Sequence, residues 1–411
     1  MNHCEDAERA FWKDLILRPS PIQHVETIDV AGTRLMRYSG EFWTSAQRKA
    51  SSVHEISYRA CFKPQLPRFF INSLTDAGDR VYDPFSGRGT TVIEAGLLGR
   101  EIACNDANPL SRILTQPRFF IPTEKAVTAR MADVPLENKE KAEIDLSMFY
   151  DPKTESEILS LRHYLLNRED SGTMDSIDSW IRMVATSRLT GHSVGFFSVY
   201  TLPPNQAVSQ NRQVQINERR KQVPEYRNIR DLIVRKTRSL IRDLTPEERN
   251  NLNNAGTGGL FLSGDSGHTP AIPDDSVHLT VTSPPFLDTV QYGKDNWLRC
   301  WFNGIDAAAI ERKLTVTRSL AGWCDAMATT FRELFRVTVP GGYVAFEVGE
   351  VRRGSVLLDE QVLPVGIAAG FIPLGIIVNL QRFTKTSHIW GIGNNDSGTN
   401  TNRIVVFRKE I

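Results

Sequence analysis

The 411-residue sequence predicts an α/β fold built on a largely parallel sheet, interrupted by a mainly helical insertion. Two segments, 56–115 and 256–411, alternate short apolar strands with helices, and strand–turn–helix–strand at this spacing forms a parallel βαβ unit. Residues 116–255 between them carry mostly helical patterns. We therefore expect a core made of these two segments, an inserted helical and basic region over 116–255, and an N-terminal extension over 1–55.

The first core segment contains the clearest βαβ unit. A strand, RVYDPF, leads into a glycine-rich turn, a helix, TTVIEAGLLGR, and a second strand, EIACND. In the second core segment, GLFLSGD and SVHLTVT read as buried strands, WCDAMATTFRELFRV has helical apolar spacing, and GGYVAFEVGEV reads as a further strand. The last two strands, GIIVNLQRF and NRIVVFRK, are expected to pair antiparallel.

Composition excludes several classes of protein. Hydrophobic residues at 40% and charged residues at 24% are typical of a globular protein. The N-terminus, MNHCEDAERAFWKDL, lacks the apolar core of a secretory signal, and no apolar run approaches the ~18 residues of a membrane span. The five cysteines form no CxxC pair and the eight histidines no HExxH pair. We expect a cytoplasmic protein with free thiols and no metal site.

The glycine-rich turn after the first strand is a candidate ligand site. Glycines at 87 and 89 let the backbone approach a ligand, and the following helix offers free N–H donors. Asp83 would repel a phosphate but can bind an ammonium group. Asp106, at the end of the next strand, is placed to bind ribose hydroxyls. A structural glycine turn with solvated acids is the alternative.

A second candidate site is Thr282-Ser283-Pro284-Pro285-Phe286, again at the carboxyl end of a strand. Ligands of open α/β sheets bind outside these ends, so the two loops can face one cavity. The prolines make a rigid turn without N–H donors. If an aromatic amine donates its two N–H groups to Ser283 Oγ and the Pro284 carbonyl, its nitrogen can pyramidalise and attack a methyl donor. Phe286 can hold the base by stacking.

Together the two loops resemble those of the amino-methylating DNA methyltransferases, whose motifs are similar to DPF-x-G-x-G-TT and [DNS]-PP-[YFW]. The resemblance implies a Rossmann-like, seven-stranded methyltransferase sheet, S-adenosylmethionine as the cofactor, and Ser283, Pro284, Pro285 and Phe286 as the catalytic residues. It also implies cofactor contacts from Pro64 in KPQLPRFFI, from Phe62 directly before that segment, and from Asp265 before the catalytic loop. The implied cofactor-binding set is Phe62, Pro64, Asp83, Phe85, Gly87, Gly89, Thr90, Thr91, Asp106 and Asp265.

One residue of the cofactor loop departs from the family's pattern. Arg88 stands where the family usually has a small Ser. Either the cofactor's carboxylate gains a partner there, or the loop has a different shape.

The residue at 283 bears on the choice of base. In the family, Ser at this place accompanies mostly cytosine N4 methylation, and Asp or Asn mostly adenine N6. A hydroxyl can also accept from the amine while donating to the neighbouring ring nitrogen, whereas a carboxylate only accepts. We expect cytosine N4, in a restriction-modification or orphan modification system. An adenine N6 enzyme, an RNA base methyltransferase and a non-catalytic, cofactor-sensing DNA-binding protein remain as alternatives.

The insertion is the predicted DNA-binding region. Residues 209–242 contain ten Lys and Arg against three Asp and Glu, and cations neutralise phosphates while Arg, Asn and Gln read base edges. A solvated pair of charged helices would have the same composition. The partner is expected to be double-stranded DNA with its target base flipped out, and a homodimer stays open. The candidates for DNA contact are Asn211, Arg212, Gln213, Arg219, Arg220 and Lys221, with Asn205, Gln206 and Gln210 as further readers.

Overall fold

The computed structural model describes residues 22–43, 50–58, 62–136, 142–202, 206–285, 292–313, 319–351, 355–380 and 401–411. Nine strands form one twisted sheet, so the α/β class is confirmed. These strands are β1 (Ile22–Val30), β2 (Thr33–Gly40), β3 (Arg80–Asp83), β4 (Glu101–Cys104), β5 (Leu260–Phe261), β6 (Val277–Thr282), β7 (Thr338–Val348), β10 (Ile372–Leu380) and β11 (Thr401–Arg408). A separate two-stranded ribbon consists of β8 (Glu350–Val351) and β9 (Val356–Leu357).

Helices cover the sheet and make up most of the region between its two halves. Before and within that region lie α1 (Gln65–Leu74), α2 (Thr90–Leu97), α3 (Leu110–Thr115), α4 (Glu124–Asp133), α5 (Pro152–Asp170), α6 (Ser176–Arg188), α7 (Gln210–Arg220), α8 (Ile229–Ile241) and α9 (Pro246–Thr257). After it lie α10 (Tyr292–Phe302), α11 (Ala307–Lys313), α12 (Leu320–Val337) and α13 (Leu358–Ala368). Two short 3-10 turns span Ser52–His54 and Gln116–Phe119.

The strand order across the sheet is β1-β2-β10-β11-β7-β6-β3-β4-β5. Strands β5, β4, β3, β6 and β7 run parallel, whereas β11 is antiparallel to both of its neighbours, as predicted for the last pair. β4 and β6 flank β3, so the loops that follow β3, β4 and β6 meet at one edge. This is the switch point at which open α/β sheets bind ligands.

The predicted count of seven strands is wrong, because the N-terminal segment adds two. Strands β1 and β2 form a hairpin, and β2 then pairs parallel to β10. The turn between them is Ala31-Gly32, and both residues have positive φ, the conformation of a two-residue hairpin turn. The other seven strands all come from the two predicted core segments.

The core consists mainly of apolar side chains. Leu279 and Val281 of β6 and Val81 of β3 have no exposed surface, as continuous apolar parallel strands require. The helices between the two halves of the sheet bury Trp180, Ile181 and other apolar side chains in a cluster of their own. Within the described ranges, no helix is both long and apolar enough to cross a bilayer.

Candidate active site

The loop after β3 has the tight backbone that its sequence predicts. Gly87 and Gly89 have φ of 53° and 76°, in the left-handed region that favours glycine. A Cβ at Gly89 would also collide with the side chain of Thr115. Helix α2 begins directly after Gly89, which caps it without a side-chain hydrogen bond. The loop therefore presents backbone, not side chains, to the edge of the sheet.

Asp106 holds this loop from the neighbouring strand end. Its Oδ2 accepts from the Gly87 N–H at 2.7 Å and its Oδ1 from the Asn108 N–H at 2.8 Å. Burial of the carboxyl raises the pKa of Asp106 to about 6. A carboxylate has about four acceptor positions, so two remain for a ligand. The predicted ribose contact is compatible with this geometry.

Asp265 lies beside Asp106, although the two are far apart in sequence. The Gly264 N–H donates to the Asp106 carbonyl at 3.1 Å, and Asn105 Nδ2 donates to the Gly264 carbonyl at 3.0 Å. The Asp265 side chain is exposed, and its Oδ1 accepts from the Gly267 N–H at 2.9 Å. The ends of β4 and β5 therefore bring two predicted ligand residues to one edge.

Asp83 joins the two predicted loops directly. Its Oδ1 accepts from Thr282 Oγ1 at 2.6 Å and from the Phe85 N–H at 3.1 Å. Burial raises the pKa of Asp83 to about 7. With 1% of its surface exposed, Asp83 presents no open carboxylate in this structure, so its contact with an ammonium group stays a prediction.

The remaining predicted cofactor residues surround this edge, and several of them brace it. Thr91 is buried and donates to the Val281 carbonyl of β6 at 3.0 Å, which ties α2 to the catalytic strand. Thr90 is buried beside Arg88. Pro64 caps α1, whereas Phe62 and Phe85 are half-buried against the apolar core. Thr90 and Thr91 therefore support the loop in this structure.

Arg88 faces away from the strand ends. Its Nη1 donates to the carbonyls of His54 at 3.4 Å and Ile56 at 3.0 Å, and its Nε donates to Thr90 Oγ1 at 3.3 Å. Arg118 in turn donates to the Arg88 carbonyl. Of the two alternatives left open by the sequence, the geometry favours a loop with its own shape, tied to residues 54–56.

The predicted catalytic turn contacts an acid that the two sequence motifs do not include. The Ser283 hydroxyl donates to Glu347 Oε2, and Asn402 Nδ2 donates to Glu347 Oε1 at 2.8 Å. Glu347 is 4% exposed, and burial raises its pKa to about 7. Its sequence signal is a lone acid within the apolar strand YVAFEV. Perturbed carboxyls of this kind cluster at functional sites.

A second overlooked residue, Trp323 of α12, also holds the turn. Its indole Nε1 donates to the Pro285 carbonyl at 3.0 Å, and its ring is 4% exposed. The turn is therefore fixed at three places, through Thr282, Ser283 and Pro285. Phe286 lies outside the described residues, so its stacking role stays a prediction.

We expect Trp323→Phe to slow methyl transfer about 2- to 10-fold, because the lost neutral hydrogen bond leaves the turn less well fixed. Cofactor and DNA affinities should not change, since the indole lies behind the turn. The matched control is Trp297→Phe, which removes an equivalent bond from Trp297 Nε1 to the Val208 carbonyl. Single-turnover rates and equilibrium binding of both variants provide the comparison. An equal loss of rate in both variants would contradict a specific effect on the turn.

The predicted DNA residues lie mostly on the surface of α7. The side chains of Asn211, Arg212, Arg219, Arg220 and Lys221 are exposed, and Arg220 also stacks on the Tyr200 ring at 3.7 Å. Gln206 and Gln210 are half-buried, and Gln210 donates to the Asp145 carbonyl at 2.6 Å. Asn205 lies outside the described residues.

Gln213 does not fit its predicted role as a base reader. Its side chain has no exposed surface, and its Nε2 donates to the Tyr200 carbonyl at 3.0 Å and to Asn217 Oδ1 at 2.8 Å. A group inside the helical region cannot reach a base edge. The helical period places residue 213 on the inner face of α7, whereas residues 212 and 219, seven positions apart, share a more exposed face.

Comparisons with known proteins agree with the motifs. Residues 20–125 match the family model of the N6/N4 DNA methylases. The type II methyltransferase M.BsoBI of Geobacillus stearothermophilus is 21% identical over 90% of this chain and 87% of its own.

Two solved structures are also similar to the chain. A candidate DNA modification methylase of Thermus thermophilus, solved with S-adenosyl-L-methionine, is 27% identical over 36% of this chain, with a TM-score of 0.22. The match spans about half of that protein, 54% of its length. The rRNA methyltransferase aviRa of Streptomyces viridochromogenes covers 90% of this chain and 96% of its own at 12% identity, with a TM-score of 0.35.

The family match includes the glycine-rich loop after β3, and the relative from Geobacillus stearothermophilus aligns with nine-tenths of the chain. Both comparisons therefore relate the chain to the amino-methylating DNA methyltransferases, the family that its two motifs resemble.

Proposed function

We propose that this protein transfers a methyl group from S-adenosylmethionine to the N4 amino group of a cytosine flipped out of double-stranded DNA. The observation that carries the proposal is the Ser283 hydroxyl, which is bonded to buried Glu347 one residue after the Thr282–Asp83 contact. That contact joins the catalytic turn to the glycine loop. A methyl donor on the loop and an amine on the turn would therefore be neighbours.

The residues at the sheet edge fit this cofactor. The glycine loop has no side chains at positions 87 and 89, where both residues have positive φ, so a ligand can approach its backbone closely. Asp106 keeps acceptor positions for ribose hydroxyls, and exposed Asp265 can accept from the adenine amino group. When bound, S-adenosylmethionine supplies an electrophilic methyl group on a sulfonium.

The chain's own residues would position the amine and take its proton. One N–H of the amine donates to Ser283 Oγ and the other to the Pro284 carbonyl, so that the nitrogen lone pair points at the methyl carbon. The nitrogen would form its new bond to the methyl carbon as the bond from that carbon to sulfur breaks, and the sulfur would keep the electron pair. The proton released from nitrogen passes to Ser283 Oγ, while the hydroxyl proton passes to the Glu347 carboxylate. Positioning and this proton path are the expected sources of catalysis.

The bond to Glu347 changes the argument for cytosine. The single hydroxyl proton of Ser283 is donated to Glu347, so it is not available for a neighbouring ring nitrogen. What supports cytosine N4 is the Ser at 283, which accompanies that target in the family. Adenine N6 is the alternative outcome of the test.

For the DNA, we propose the helical region 116–255 as the target-recognition part. The support is a group of exposed cations on α7 and directly after it: Arg212, Arg219, Arg220 and Lys221. Exposed arginines can neutralise phosphates or read guanine edges, and Arg212 and Arg219 share one helix face.

Charge reversal at Arg219 and Arg220 is expected to flatten the salt dependence of DNA binding. Each lost phosphate contact should reduce the log–log slope by about 0.9, while cofactor affinity stays the same. Reversal of Arg312 and Arg332, which are exposed outside the helical region, is the control for net charge. Equal slopes for the wild type and the Arg219/Arg220 variant would remove these residues from the interface.

Mass spectrometry of nucleosides tests the main proposal. Duplex DNA is treated with protein and S-adenosylmethionine, and Ser283→Ala protein, in which transfer should be slower, provides the control. N4-methylcytosine that depends on Ser283 supports the proposal, and N6-methyladenine would move the same mechanism to the other base. If modified bases form only in an RNA substrate, the substrate of the enzyme is RNA and not DNA. The absence of any modified base would overturn the transfer activity.

A further inference from the structure

We propose that Arg188, Lys236 and Arg299 form a binding site for a backbone phosphate of the substrate DNA. The three residues lie on α6, α8 and α10, next to residues 55–57. The identification of the bound anion as a phosphate of DNA rests on the proposed function. The presence of a site that binds an oxyanion does not rest on it.

Arg188 is a cation without an acidic partner. Its guanidinium stacks on the Phe196 ring at 4.1 Å. Among the residues that the structure describes, its side chain makes no hydrogen bond or ion pair, and its Nε is buried without an acceptor. An unpaired charge that is partly removed from water is costly, so such groups are retained mainly where a ligand completes them.

Two further cations contact the carboxylate of Glu55 near Arg188. Lys236 is 10% exposed at its side chain, and its Nζ lies 3.6 Å from Glu55 Oε2. Arg242 also pairs with Glu55. Arg299 is 4% exposed and donates to the Ser57 carbonyl at 3.2 Å and to Asn296 Oδ1 at 2.8 Å. Glu55 is thus shared between two cations, Lys236 and Arg242.

Repulsion between neighbouring cations contributes to the pKa values of two of these residues. Burial and the neighbouring Arg299 lower the pKa of Arg188 to about 10, although Glu55 opposes this. Burial and the neighbouring Arg188 lower the pKa of Lys236 to about 8, and Glu55 again opposes the shift. An anion bound between these cations would relieve the repulsion.

The location favours a phosphate of DNA. Residues 54–56 receive hydrogen bonds from Arg88 of the glycine loop, so the cluster adjoins the proposed active site on the side of the helical region. A base flipped into that site must bring its flanking phosphates close to the protein. A guanidinium suits a phosphate because it can donate two parallel hydrogen bonds. Arg188, whose side chain has no acidic partner among the described residues, would make the first contact.

The test compares Arg188→Met with Arg332→Met. Methionine keeps an apolar stem against Phe196 but removes the charge, and Arg332 is an exposed arginine on α12 that controls for net charge. Binding of duplex DNA is measured over a series of salt concentrations. For Arg188→Met we expect about 10-fold weaker binding and a log–log slope smaller by about 0.9. S-adenosylmethionine affinity should match the wild type.

Thermal melting with inorganic phosphate provides a readout independent of DNA. In phosphate-free buffer Arg188→Met should melt at the same temperature as the wild type or higher, because it removes repulsion. Phosphate should raise the Tm of the wild type and of Arg332→Met more than that of Arg188→Met. A Tm below the wild type, with an unchanged phosphate response, would assign Arg188 a structural role and overturn the site.

Two further outcomes distinguish a DNA phosphate from a free anion, and the phosphate site from the proposed methyl transfer. A phosphate response that needs Arg188, together with equal DNA slopes, would mean a site for a free anion and overturn the DNA phosphate. A smaller DNA slope for Arg188→Met supports the phosphate site even if the wild type produces no methylated base. In that case the transfer activity fails and the binding site stands.

Discussion

Replacement of Glu347 by glutamine is expected to slow methyl transfer by about 10²- to 10⁴-fold, the usual loss when a proton acceptor is removed. Glutamine keeps the size of the side chain and a carbonyl that can accept from Ser283. It cannot take up the proton that leaves the amine. Affinities for S-adenosylmethionine and DNA should remain close to the wild type, because Glu347 lies behind Ser283. The loss should therefore appear in the single-turnover rate at saturating substrates.

Glu101→Gln provides the matched control, since Glu101 is an exposed strand residue in the same sheet. Ser283→Ala should also slow transfer, and the double variant with Glu347→Gln should be hardly slower than the worse single variant. Residues that act as one unit show this non-additivity. Fully additive losses would show that Ser283 and Glu347 act independently and would remove the proton path.

The raised pKa of Glu347 also predicts a pH profile. Below pH about 7 the carboxyl holds a proton and cannot accept another, so the rate should rise as pH passes through about 7 and then level off. Because the folded pKa lies above the unfolded value, this group stabilises the fold at low pH and loses that contribution as pH rises through about 7. Glu347→Gln should lack this step in the rate. A step of the same size in Glu347→Gln would assign it to another group.

Much of the site follows from sequence because it depends on local signals. The glycine turn, the strand ends at Asp83 and Asp106, and the Ser283 turn each lie within one βαβ unit or at its edge. Thr282 also shows which part of the site the sequence does not predict. Its motif is visible in the sequence, but its bond to Asp83 across 199 positions depends on which strands are neighbours.

Glu347 could not be predicted for the same reason. The register of β6 against β7, which pairs Thr282 with Phe346, places Glu347 beside Ser283. The sequence shows only an acid in an apolar run. Arg188 is similar, since its cluster joins three helices and a loop. For Gln213, the polar composition predicted a contact with a base edge, but the residue lies on the inward face of α7 and is buried. Pairing between distant segments is the information that composition and periodicity lack.

Asp106→Ala is expected to weaken S-adenosylmethionine binding about 10- to 150-fold, the range for one charge-assisted hydrogen bond. The substitution removes the bonds of the carboxylate to the ribose and also its bond to the Gly87 N–H, which helps to fix the glycine loop. Asp106→Asn separates these effects, because an amide keeps one acceptor and the shape but loses the charge. We expect its affinity to lie between those of the wild type and alanine variants.

Asp76→Ala controls for the loss of an exposed acid near the same sheet. Calorimetry at pH about 8 gives the affinities, and thermal melting shows that each variant is folded. Because burial raises the pKa of Asp106 to about 6, the wild-type affinity should fall as pH is lowered through about 6. The alanine variant should lose that dependence. Unchanged affinity in a folded Asp106→Ala protein would place the ribose elsewhere along the strand ends, with Asp265 after β5 as the remaining acid.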